Sequence, residues 1–238
     1  MISRITNWDD LEFISEEVVP DTNELQYTSF GLIDDNDTFH HGQLSAPKTE
    51  ISLENIMAAL MYIKRPPLEL YSMLKNMGIE KQLYNAFVVE VQVLEELSQH
   101  PHPNLIQYHG CRVARGHITG LVLDIHPHDL QTYVKHGYER LDKVLFMTAL
   151  ESVIQHLHGL GWAHNDLKPT NVLVSDAGMP VLIDFGGCQK LGTKLKYIRG
   201  TKGWIEGEIG DYTMSEARHD TFALGKIRAW LDDPSSQE

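Results

Sequence analysis

Residues 164–187 read "HNDLKPTNVLVSDAGMPVLIDFGG". Two short β-branched and aliphatic runs, 172–174 and 181–183, flank turn residues at 175–180, the pattern of a β-hairpin. A pairing of Val174 with Val181 carries Asn171 opposite Asp184, and directly opposed residues hold their side chains about 5 Å apart. Two hard oxygen donors at that separation suit Mg2+, which keeps several waters and takes a few protein oxygens together with those of a phosphate. Asp166 lies on the loop leading into this pair, with Lys168 between. The open end of the hairpin therefore reads as a metal and phosphate station with a carboxylate beside it.

The flanking chain alternates helix and strand. Between 81 and 98, Leu83, Phe87, Val88, Val91, Leu94 and Leu97 recur at helical spacing. The prolines of "HPHPNLIQYHG" end that helix and a strand begins; "GHITGLVLDIHPHDL" supplies a second strand, stopped by Pro127. Over 141–160, Val144, Leu145, Ala149, Val153, Ile154, Leu157 and Leu160 mark a long amphipathic helix closed by Gly159 and Gly161. A last helical stretch spans about 219–231. No repeat or low-complexity tract interrupts this mixed pattern.

Composition narrows the function classes. With 42% apolar and 22% charged residues, the 238-residue chain is ordinary for a globular protein with a sizeable core. A net charge of −13 argues against a general nucleic-acid binder, which needs clustered Lys and Arg. Residues 1–55 hold twelve acidic side chains against Arg4 and Lys48, and so supply −10 of that total. The opposite bias falls on Lys190, Lys194, Lys196, Arg199 and Lys202, with no acid among them. Such a run fits either a solvated loop or a surface that meets an anionic partner. The opening residues carry no apolar signal region, and the apolar run at 56–63 is too short to span a bilayer. The expectation is a cytoplasmic or nuclear protein without membrane or nucleic-acid partners. Cys111 and Cys188 fit a reducing compartment, and the thirteen histidines show no zinc-ligand spacing.

"HNDLKPTN", followed thirteen residues after Asn171 by "DFG", resembles the catalytic loop and metal-binding motif of eukaryotic protein kinases, H-R-D-L-x-x-x-N and D-F-G. The resemblance covers about 87–231 and is similar in flavour to the short kinase-like proteins of fungi. It implies an α+β, two-lobed protein-kinase-like fold, with a small β-rich N-lobe and a mainly helical C-lobe lacking the last helices. The divergent acidic N-lobe would span 1–122, with its C-helix around 81–98. The hinge and truncated C-lobe would span 123–238, with the catalytic loop at 164–171 and DFG at 184–186.

The roles implied are those of phosphoryl transfer, where positioning and charge neutralisation dominate. Asp166 would accept or orient the proton of the substrate hydroxyl, Lys168 would offset charge on the γ-phosphate, and Asn171 and Asp184 would hold Mg2+. Lys64 in "LMYIKRPP" resembles the V-A-I-K lysine, which would contact the α- and β-phosphates of ATP and pair with Glu90 in "EVQVLEEL". The same residues also fit a buried helix with a surface lysine at its end, and an ordinary acid on a helix surface. "LVLDIHPHDL" resembles the strand and hinge that hold adenine: Leu123 would be the gatekeeper, backbone groups of Asp124 and His126 would bind the base, and Asp129 the ribose. Leu173 would complete the nucleotide set. Leu94, Tyr108, His164 and Phe185 would stack as a spine. "GTKGWIEGE" resembles a degenerate G-T-x-x-W/Y-x-A-P-E segment containing Glu208, and "HDTFALG" the start of the F-helix, with Asp220 as its aspartate.

Three departures from the family pattern matter. No G-x-G-x-x-G precedes Lys64: Gly31 and Gly42 stand alone in "SFGLIDDNDTFHHGQL", so the amides that cover phosphates would be poorly arranged. Asn165 replaces the arginine that grips a phosphorylated loop, which leaves phosphorylation of Thr193, Tyr197 or Thr201 without its usual receiver. The sequence ends soon after the F-helix, so Phe222, Leu224, Ile227, Trp230 and Leu231 would form an exposed apolar patch for a homo-oligomer or a partner to cover, the alternatives being that residues 1–55 fold back over it or that the chain is a truncated product. The first reading is a Ser/Thr protein kinase acting on a protein substrate. A pseudokinase scaffold or nucleotide-binding module is the second, and a small-molecule kinase of the choline or aminoglycoside type the third.

Overall fold

The computed structural model describes residues 7–33, 39–66, 75–76, 80–114, 116–137, 141–195 and 199–234. The chain forms two compact units, Met1–Arg65 with Tyr108–Ile125, and Pro66–Gln107 with His126–Glu238. The division does not follow chain order. The helix beginning at Glu80 belongs by its contacts to the second unit, while the strands before and after it belong to the first.

The first unit is a six-stranded antiparallel sheet ordered β1-β2-β3-β4-β6-β5. Its strands are β1 (Phe13–Val18), β2 (Leu25–Ile33), β3 (Phe39–Leu44), β4 (Leu60–Lys64), β5 (Tyr108–Ala114) and β6 (His117–Leu123). A short helix, α1 (Leu53–Ala58), is started by a capping box in which the Ser52 side chain accepts the Asn55 N–H. Phe30, Leu32, Ile51 and Ile56 make its core. "ENIMAALMYIK" is thus split: a helix that ends at Ala59, then a strand whose alternation buries Ile63 and exposes Tyr62. Lys64 closes that strand opposite Leu121, so the alternative of a lysine at the end of a helix does not hold. The two isolated glycines serve packing. A Cβ on Gly31 would meet the rings of Phe13 and Phe39 at 2.5 and 2.8 Å, and one on Gly42 would meet the Phe30 ring at 2.4 Å. The β2–β3 turn, 34–38, lies outside the described residues.

The second unit carries the helices α2 (Glu80–Ser98), α3 (Leu130–His136), α4 (Lys143–Gly159) and α5 (Ala217–Asp232). With them run β7 (His128–Asp129), β8 (Trp162–Ala163), β9 (Val172–Val174), β10 (Pro180–Leu182) and β11 (Gln189–Lys190), in sheets ordered β10-β9-β7 and β11-β8. The α4 face differs from the sequence expectation. Phe146, Met147, Leu150, Val153, Ile154 and Leu157 are buried, whereas Val144 is 79% and Leu145 52% exposed. The helix starts at the Asp142 N-cap, so those two residues occupy a first turn that the core does not cover. On α5, Phe222 and Leu224 are half-buried, but Ile227, Trp230 and Leu231 are buried within the chain itself. Trp204 meets Trp230 edge to face at 6.1 Å. The expected exposed patch on this helix is corrected accordingly, because the segment around Trp204 supplies the cover. Among the described residues, no helix is long and apolar enough to cross a membrane.

Candidate functional site

The expected hairpin forms at 172–182, in a register one residue away from expectation. Val174 pairs with Pro180, Leu173 with Val181 and Val172 with Leu182. The turn sets this register. Ser175 N–H donates to Met179 O at 2.9 Å, Gly178 N–H to Ser175 O at 2.8 Å, and Gly178 is left-handed at φ +69°. This is a three-residue loop in which only glycine meets the left-handed position without strain. Asn171 therefore faces Ile183, whose N–H donates to Asn171 O at 3.1 Å, and Asp184 follows one residue later. Asp184 itself adopts φ +65°, ψ +72° and turns the chain into the 3-10 helix Phe185–Gly187. The direct opposition of Asn171 and Asp184 is thus replaced by a turn at Asp184.

The preceding loop is fixed from beneath by Asp220, which is fully buried. Its two carboxylate oxygens accept the N–H groups of His164 and Asn165, each at 2.8 Å, and the His158 side chain donates at 2.8 Å. His164 donates through Nε2 to Ile183 O at 2.9 Å, which ties the loop to the hairpin, and its ring lies 5.6 Å from that of Phe185. Asn171 donates through Nδ2 to Asp166 O at 2.8 Å. Asp166, 8% exposed, accepts from the Thr201 hydroxyl at 2.6 Å through Oδ1 and from the Lys168 ammonium at 2.9 Å through Oδ2. Lys168 also donates to Thr201 Oγ1 at 2.8 Å, closing a three-membered hub. Gly200, at φ +87°, lets the chain before Thr201 approach closely: a Cβ there would lie 2.4 Å from Ile205 and 3.2 Å from Asn165 O.

Asn165 fills its neutral position with hydrogen bonds. At φ +62° and 2% exposure it donates through Nδ2 toward Ala163 O, Gly187 O and Ser215 Oγ at 3.0, 3.2 and 3.1 Å. His219 Nδ1–H donates to its Oδ1 at 3.1 Å. His219 stacks on Tyr212 at 3.8 Å, and burial holds its pKa below the ordinary imidazole value. Sequence reasoning missed His158, Ser215 and His219. For Ser215 and His219 the only signal is a neutral amide, Asn165, at a position where the resembling pattern carries a cation; His158 bonds Asp220 instead.

Glu90, 3% exposed on α2, accepts the Phe185 N–H at 3.2 Å, which removes the surface-acid alternative. Leu173 sits mid-strand in β9, half-buried. Leu123 is buried at the end of β6, next to Asp124, which bonds the His109 ring at 2.6 Å. His126 is half-buried where the second unit resumes. Asp129, read as a ribose partner, caps α3: its carboxylate accepts the Thr132 N–H at 2.9 Å and hydroxyl at 2.8 Å. Thr193 is exposed; Tyr197 and Lys196 lie outside the described residues. Among the described residues, no three His, Cys, Asp or Glu side chains cluster as a metal site.

The family model described as protein kinase domain matches residues 71–231. The human serine/threonine-protein kinase/endoribonuclease IRE2 is 34% identical over 134 residues, 50% of this chain and 14% of that protein. The rat serine/threonine-protein kinase TAO2 is 29% identical over 146 residues, 60% of this chain and 11% of that protein. The Saccharomyces cerevisiae MAP kinase kinase kinase SSK2 is 31% identical over 130 residues, 52% of this chain and 8% of that protein. The chain spans only a small fraction of the length of these relatives.

Proposed function

Because this chain belongs to the protein kinase domain family, we propose that it is a Ser/Thr-directed phosphotransferase that moves the γ-phosphate of ATP to a hydroxyl of a protein acceptor. The observation that carries the reading is the hub of Asp166, Lys168 and Thr201, braced by Asn171 on the Asp166 carbonyl. In the transfer, the acceptor oxygen bonds to the γ-phosphorus while the bond to the β–γ bridging oxygen breaks. ADP leaves, and the hydroxyl proton passes to Asp166. Lys168, 2.9 Å from Asp166, would offset negative charge on the γ-phosphate as it is transferred. Thr201 fixes the carboxylate's rotamer, so little reorganisation is left for the reacting complex.

The donor set fits a magnesium ion. The Asn171 amide nitrogen is spent on the Asp166 carbonyl, which leaves its oxygen as the ligating atom, and Asp184 adds a carboxylate. Mg2+ favours such hard oxygens and, when bound, neutralises phosphate charge. For ATP we propose Lys64, Glu90, Leu123, Asp124, His126 and Leu173 as the remaining contacts. One observation favours a second reading, a nucleotide-binding or scaffold module without turnover: Gly31 and Gly42 are filled by aromatic rings rather than open to phosphate. The deciding experiment is Mg-dependent transfer from ATP by wild type, Asp166→Asn and Asp184→Asn. Loss of turnover in Asp166→Asn with nucleotide affinity kept, and loss of Mg2+ dependence in Asp184→Asn, support the enzyme.

A further inference from the structure

The cations between Phe185 and Ile205, Lys190, Lys194, Lys196, Arg199 and Lys202, form the most basic stretch of this acidic chain, and no acidic residue stands among them. A run of surface cations is ordinarily solvated. Three observations set this one apart.

The first is that its backbone is held over residues 192–195. Gly192 N–H donates to Ser215 O, Leu195 N–H to Thr213 O and Ser215 N–H to Thr193 O, at 2.9, 2.9 and 2.7 Å, and Lys194 bridges to Met214. Leu195 is buried with Ile205 and Tyr212. The second is that the run contains a member of the hub: Arg199 and Lys202 flank, in sequence, Thr201, which bonds both Asp166 and Lys168. The third is that the charge is not consumed. Lys190 pairs with Glu96 and lies 4.1 Å over the Trp162 ring, but among the described residues Lys194, Arg199 and Lys202 make no ion pair. Lys194 and Lys202 are exposed and Arg199 is half-buried. Nearby Asn165 is neutral, so it adds no competing cation.

We infer that the acceptor is an acidic peptide segment, with Asp or Glu within about two residues of the hydroxyl, drawn in by Arg199 and Lys202 and, farther out, by Lys194. This rests on the phosphotransferase reading for its catalytic half only; the peptide contact stands without turnover. The reach is geometric. An extended peptide advances at most about 3.6 Å per residue, so residues beside a hydroxyl at Asp166 pass the cations that flank Thr201. Each exposed pair is worth a factor of about two to five, so two or three together give roughly tenfold. The effect weakens when the Debye length shrinks below about 8 Å.

The test uses the full chain and octapeptides with one Ser or Thr flanked by Glu, Gln or Lys, read by phosphate transfer and by fluorescence anisotropy without ATP. The Glu peptide is expected to bind and to react (kcat/KM) about tenfold better than the Gln peptide, with the margin falling in high salt. In Arg199→Gln/Lys202→Gln the ratio of Glu- to Gln-peptide binding and reaction should fall below about threefold, and Arg199→Glu/Lys202→Glu should favour the Lys peptide. Equal binding of all three peptides overturns the inference, as does a DNA oligonucleotide that binds more tightly than the Glu peptide and is weakened equally by the substitutions. Charge-dependent binding without transfer to any peptide would sustain the docking inference and sink the phosphotransferase reading, so the two failures are distinguishable.

Discussion

Asn165 shows how much one substitution within a fixed motif changes. Asp166, Lys168, Asn171 and Asp184 stand out in the sequence because they match the family's motifs, and the structure joins Asp166, Lys168 and Asn171 by hydrogen bonds. The partners of Asn165 were not legible, because Ser215 and His219 reach it from about fifty residues away. The network makes the site's anchoring sensitive to acid. Burial holds His219 below the ordinary imidazole pKa, so as pH falls the unfolded chain takes up the proton first. The stability supplied by neutral His219 is complete above the ordinary value, about 6.5, and is lost as pH falls through the lower folded value. His41, His102 and His128 are shifted in the same direction, so the measurement is a difference. His219→Asn is expected to flatten the fall in denaturant midpoint between pH 7 and 5; an unchanged slope would remove His219 from this role.

Among the elements, the hairpin was legible as a hairpin and misread in register. Alternating aliphatics at 172–174 and 181–183 announce two strands but not where the turn closes. That choice belongs to Gly178, whose left-handed φ permits the three-residue loop. Gly178→Ala should cost about 1 kcal/mol, seen as a lower midpoint in urea, while Asp176→Ala should cost less; equal losses would deny Gly178 its part in the register. The α4 helix was found but rotated in the reading, since Val144 and Leu145 look as apolar as Phe146 and Met147. Only the position of the N-cap at Asp142 separates exposed first turn from buried face. The Glu90 contact with Phe185 N–H joins elements that no local pattern connects, so its burial could not be read from spacing alone.

Over the whole molecule, the family pattern carried the α+β architecture, whereas the fate of α5 needed the folded chain. Trp230 is 7% exposed against Trp204, so it acts as core. Trp230→Ala should lower stability by about 3–5 kcal/mol in chemical denaturation; a loss under 1 kcal/mol would mean that the aromatic pair is not a real cover. The sheet of the first unit carries Lys64 and Leu123, and the second unit carries the hub. The central claim concerns that hub. Its most direct measurement is transfer of labelled γ-phosphate from ATP to a Ser- or Thr-containing acceptor by the full chain, with and without Mg2+, beside Asp166→Asn. The account predicts transfer that requires Mg2+ and falls by at least about a hundredfold in Asp166→Asn, with ATP affinity kept within a factor of a few. Equal transfer by the two proteins, or tight chelator-insensitive nucleotide binding with no transfer to any acceptor, would contradict it.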